Sequence, residues 1–138
     1  VSARNNTGGM LKITGQGKVN ITIPSLNANR RAAWGLFLNT SQAVGTVTVK
    51  QRDCTAVWKW DGSGSLTSVQ DTRNSYSSAT KSITCGGTNQ FERVSWKDVH
   101  SDALWSIRMS GPVFSIEIDT TGMSSGAIYL DDIAWNLM

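Results

Sequence analysis

The sequence predicts an all-β sandwich. Apolar residues recur with a period of two, clusters of Gly, Asn, Asp and Ser separate the recurrences, and no stretch sustains the three-to-four spacing of an amphipathic helix. Val19, Ile21 and Ile23 alternate with Lys18, Asn20 and Thr22, and the run closes at Pro24, which has no N–H to give a sheet ladder. Val47 and Val49 alternate with Thr46, Thr48 and Lys50, and Phe114, Ile116 and Ile118 alternate with Ser115, Glu117 and Asp119. Residues two apart share a face of a strand, so each run offers one apolar face and one wet one. Residues 10–14, 33–39, 55–60, 91–97, 104–109 and 127–135 complete a set of about nine short strands. Between Trp96 and Trp105 the polar residues Asp98, His100, Ser101 and Asp102 leave room for one helical turn at most. Many short strands with one apolar face each must pair those faces across two sheets, which points to a jelly roll. Residues 61–81 lack apolar periodicity and read either as a pair of loose edge strands or as a binding loop.

A length of 138 residues suits a single domain spanning 1–138. The net charge of +3 is scattered apart from the pair Arg30-Arg31, so no basic stripe is laid out for nucleic acid. No apolar run is long enough for a membrane span. Because the chain opens at Val1, it is read as a piece cut from a longer protein, with any targeting signal outside it. Abundant Ser, Thr, Asn and Gly beside few charges suggest a secreted or extracellular setting, where disulfides persist. Cys54 and Cys85, the two cysteines, are therefore expected to form a disulfide, the alternative being two separate buried thiols.

Catalytic side chains are scarce. His100 is the single histidine and sits in a polar turn, with no G-x-S-x-G elbow and no glycine-rich phosphate cradle elsewhere. Glycoside hydrolysis needs only two carboxyl groups, and Glu117 and Asp119 share a strand face. The run Glu117-Ile118-Asp119 resembles the start of the E-x-D-x-E signature of sandwich-fold glucanases of the laminarinase type. Thr121 stands where that signature has its final glutamate, so no enzyme activity is expected and the two acids are read as solvated.

The six tryptophans point the other way, because a flat indole face packs well against the C–H patches of a sugar ring. Trp34 shares a face with Leu36 and Leu38, Trp105 with Ile107 and Met109, and Trp96 alternates with Val94, so these three are expected in the core. Trp58 and Trp60 share a strand face about 6–7 Å apart. They read either as a stacking platform for a saccharide or as core residues beside Ala56. In the platform reading, Tyr76 in the Ser-rich stretch adds a third ring, and Gln51, Arg52, Lys59 and Asp61 are the polar neighbours for hydroxyl groups.

The closing segment Ile128-Tyr129-Leu130-Asp131-Asp132-Ile133-Ala134-Trp135 resembles the last strand of jelly-roll carbohydrate-binding modules. The resemblance implies a non-catalytic domain that targets a larger enzyme or assembly to a polysaccharide. It also implies a structural Ca2+ held at Asp131, with Asp132 as a further ligand. The acidic partner near the first turn of such modules has no counterpart here, because residues 1–17 contain no Asp or Glu. A monomer is expected on this reading. Two alternatives remain: a structural or receptor-binding domain of a trimeric viral tail spike, and a small glycoside hydrolase.

Overall fold

The computed structural model describes residues 1–4, 8–24, 31–52, 54–60, 66–70, 80–99, 104–109 and 113–137, and along 23–24, 31–32, 52, 54–60, 66–70, 104–109, 113–114 and 136–137 the backbone alone. The strands, in chain order, are β1 (Leu11–Thr14), β2 (Lys18–Pro24), β3 (Arg31–Asn39), β4 (Ala43–Arg52), β5 (Cys54–Trp60), β6 (Leu66–Gln70), β7 (Thr80–Thr84) and β8 (Glu92–Ser95). After the single turn α1 (Trp96–Val99) come β9 (Leu104–Met109), β10 (Val113–Asp119) and β11 (Met123–Leu137). The all-β architecture and the one helical turn match the alternation of the sequence. At the start of that turn the Ser95 N–H and hydroxyl both donate to Asp98 Oδ2, at 2.8 and 3.2 Å.

All described pairings are antiparallel, and they build two layers. One sheet holds β2, β10, β4 and β7; the other runs from β1 through β11 and β3 to β8 and β9, then to β5 and β6. β11 joins them, because its first residues pair with β4 and its later ones with β3 and β1. The core lies between the layers. Val47, Val49, Ile116 and Ile118 from one sheet meet Trp34, Leu36, Leu38, Ile128 and Leu130 from the other, all with at most 1% of their surface exposed. Burial of this apolar surface is the main favourable term, at roughly 25 cal/mol per Å2.

Within the segment without periodicity, β6 pairs with β5 and the first residues of β7 pair with β4, while residues 61–65 and 71–79 lie outside the described residues. Ile83 is the lone apolar residue β7 places in the core.

The expected disulfide is corrected. Cys85 is a free, partly buried thiol, and burial pushes its pKa up. Cys85 follows β7 in the smaller sheet and gives its N–H to the Gly45 carbonyl, and the backbone of Cys54 pairs with Met109 in the larger sheet.

Candidate functional site

On β3 the core residues Trp34, Leu36 and Leu38 alternate with Ala33, Gly35 and Phe37, which face away from the core and are partly exposed. Against this outward row opens a pocket of about 440 Å3, the size of a small-ligand cleft. Gly35 and Ala134 of β11 stand opposite each other in register, so two very small residues form a low floor. Larger groups rise around it. Phe37 lies at one end and Trp135 at the other, Arg93 of β8 pairs with Phe37, and Trp96 enters from the first position of α1.

Trp135 stands in register with Trp34, but the two indoles fare differently, at 47% and 1% exposed. Opposed residues share a sheet face, so Trp135 lies on the side of Trp34 and borders the pocket as a large aromatic group exposed to solvent. Trp34 and Trp96 also line it, and the buried Nε1–H donor of each makes no hydrogen bond. Both donors are closed off from solvent, and Trp34 faces the core, so neither N–H is offered to a ligand in the pocket.

A bulge shapes the β11 wall. Asp131 pairs with Phe37 and Ala134 with Gly35, so Asp132 and Ile133 together oppose Leu36. Asp132 takes the left-handed conformation, with φ of 49°. Ile133 packs on the core while Asp132 is exposed at the pocket. The two aspartates meet Arg4: its backbone N–H donates to Asp131 Oδ2 at 2.8 Å, and its guanidinium pairs with Asp132 Oδ2. The Asp132 N–H donates to Asp131 Oδ1 at 2.8 Å. The Arg4 guanidinium also lies 3.3 Å over the Phe37 ring.

This donor set does not suit calcium. The ion takes six to eight oxygen ligands. Here the carboxylate oxygens of Asp131 and one of Asp132 already accept from N–H groups, and a cation is seated beside them. Among the described residues no group of three acidic, His or Cys side chains could hold a metal.

The other sequence-predicted residues divide. Gln51 is fully buried, continues the inward row of Val47 and Val49 and donates to the Ser115 carbonyl at 3.2 Å, so it is corrected from ligand contact to core. Asp61 and Tyr76 lie outside the described residues, as do the side chains of Arg52, Trp58, Lys59 and Trp60. Backbone register nevertheless orders β5: Trp58 pairs with Ser68 and Ser106, and Ala56 with Gln70 and Arg108, whereas Val57 pairs with Val69 and Ile107. Arg108 in turn pairs with Arg31 and Ile107 with Ala32. By alternation, the row through Ala56 and Trp58 continues the row of Ala33, Gly35 and Phe37.

Glu117 is corrected from a solvated acid to a buried one, 7% exposed, because central strand β10 sets it between Lys50 of β4 and Asn20 of β2. Asp119 instead closes a turn. Its Oδ1 accepts from the Thr121 hydroxyl at 2.7 Å and from the Thr121 N–H at 3.0 Å. Thr121, at the place of a catalytic glutamate, is thus a donor to the strand's second acid. These bonds, above all the hydroxyl's, hold the Asp119 pKa below its ordinary 3.8, with Lys18 and Lys50 adding to the effect. A lowered folded-state pKa contributes stability above the unfolded value and loses it as pH falls through the folded one. Accordingly, Thr121→Ala should raise the Asp119 pKa toward its ordinary value in an NMR titration and shrink the part of stability lost below about pH 4. An unchanged Asp119 titration would refute the capping role.

Trp135, Arg93, Phe37 and Arg4 were not singled out from sequence. A usable signal existed in the adjacent pair Asp131-Asp132, which breaks alternation between Leu130 and Ile133 and so marks a bulge.

No protein-family model matches the chain, and no curated protein does. Solved structures do resemble it in fold. TmCBM61 in complex with β-1,4-galactotriose is 9% identical, with 94% of this chain and 70% of that one covered and a TM-score of 0.47. The enzymatically active domain of tailspike protein 4 from bacteriophage CBA120 is 15% identical, with 94% of this chain but 15% of that one covered and a TM-score of 0.48. Family 16 Carbohydrate Binding Module-2 is 14% identical, with 98% and 82% covered and a TM-score of 0.44. Carbohydrate-binding modules thus stand among the structural neighbours of this two-sheet chain, and the likeness concerns the fold.

Proposed function

We propose that the protein is a non-catalytic, extracellular carbohydrate-binding domain that brings a larger enzyme or assembly to a polysaccharide, with the pocket on the outward face of the larger sheet as its binding site. One observation carries the reading: a largely exposed indole, Trp135, borders a pocket whose floor is made of the small residues Ala33, Gly35 and Ala134. A sugar ring can lay its C–H face on the indole and exchange hydrogen bonds with the charged groups that line the pocket. Arg93 and Asp132 supply charged hydrogen-bonding groups at the rim. The Trp58 row, in line with the same outward face, extends the surface toward β5 and β6. A saccharide longer than one residue could therefore be followed across neighbouring strands, which lie about 4.8 Å apart.

A few stacked rings and hydrogen bonds imply dissociation constants of roughly micromolar to millimolar. The test is isothermal titration of the whole chain against a panel of soluble oligosaccharides that includes β-1,4-galactotriose, galactans, xylans and β-glucans. Saturable binding to at least one glycan is expected. Trp58→Ala should weaken binding of long oligosaccharides by about threefold to tenfold while leaving the shortest bound ligand unaffected, because Trp58 lies along the sheet from the pocket. No heat and no retention across the panel would end the proposal.

A further inference from the structure

We infer that the Arg4 guanidinium is the built-in cation of this region, so that the N-terminal segment is fastened to the last strand, and the pocket wall held, without calcium. Arg4 reaches both aspartates, one through its backbone and one through its charge. Its backbone N–H binds Asp131, its guanidinium binds Asp132, and the same group covers the outward face of Phe37. Asp132 and Phe37 both line the pocket, so the fastening fixes two of its walls at once. The bulge supplies the geometry. By setting Asp132 in the left-handed conformation it turns adjacent carboxylates toward one partner, where a regular strand would send them to opposite faces. Arginine suits this place better than lysine, since its planar group can stack on a ring and donate in its own plane together.

These contacts stand whatever the pocket binds, so their test needs no sugar. Thermal unfolding of the whole chain is measured in EDTA, across a calcium chloride series, and in Arg4→Gln and Arg4→Lys. The unchanged chain should melt at the same temperature in EDTA and in calcium, because an ion that does not bind the folded state does not stabilise it. Arg4→Gln should melt about 3–6 °C lower, with Arg4→Lys between it and the native chain. Added salt should lower the melting temperature of the native chain more than that of Arg4→Gln, as expected for a partly exposed ion pair. A calcium-dependent rise in the melting temperature of the native chain would overturn the inference. So would an Arg4→Gln variant that melts with the native chain.

Discussion

Replacing Trp135 with alanine is expected to weaken glycan binding by about tenfold or more, the loss of roughly 1.4 kcal/mol or more of binding free energy, while leaving the fold in place. The two halves of this expectation come from one fact. Nearly half of the Trp135 surface is open to solvent, at 47%, so truncation removes contact area for a ligand without emptying the core. Deleting a buried large side chain would instead cost about 3–5 kcal/mol of stability. The measurement is titration with whichever oligosaccharide binds the native chain, alongside thermal unfolding of both proteins. Trp135→Phe should recover part of the affinity, because a smaller ring keeps a flat face but covers less of the sugar. If Trp135→Ala binds as tightly as the native chain, the pocket is not the binding site. A lowered melting temperature with unchanged affinity would reassign Trp135 to structure.

The strands were legible in sequence because alternation is a local signal, and its residues need know nothing about their partners. Val47 and Val49, or Ile116 and Ile118, announce an inward face by themselves. The same period extends inward through Gln51, but its polar side chain suggested a ligand contact, and only pairing with central strand β10 reveals its burial. β7 escaped notice because Ile83 is its single apolar residue. The site was harder to read for a different reason. Trp34 and Trp135 look alike in sequence and stand opposite each other in register, and their exposure alone separates them. Arg4 and Asp131 are 127 positions apart, so no local pattern joins them. The aspartate pair is visible in sequence, but residue type alone does not reveal that Arg4 pairs with it.

Gly126→Ala is expected to destabilise the protein by about 3 kcal/mol or more, enough to lower its melting temperature by roughly 10 °C. Gly126 sits where β11 passes from β4 to the other sheet, opposite Ala43, and its φ of +89° lies in the region that disfavours a side chain. That strain costs about 1–2 kcal/mol by itself. A clash adds to it: a Cβ at this position would lie 1.9 Å from the Gln42 carbonyl oxygen and 2.8 Å from the Ala43 Cα. Both are backbone atoms, so relief requires the strands to part. The neighbouring Ala127 N–H donates to that same Gln42 oxygen at 3.1 Å, and parting would lengthen this bond. Gly86 provides the control, because its φ of +98° carries comparable strain while nothing lies within 4 Å of its would-be Cβ. Gly86→Ala should therefore lose only the smaller, conformational share. Urea unfolding of the two variants separates strain from contact, and equal midpoints would show that β4 and β11 do not meet as closely as their register requires. The outcome reaches the binding face as well, since the strand that crosses at Gly126 goes on to carry Asp132, Ala134 and Trp135 to the pocket.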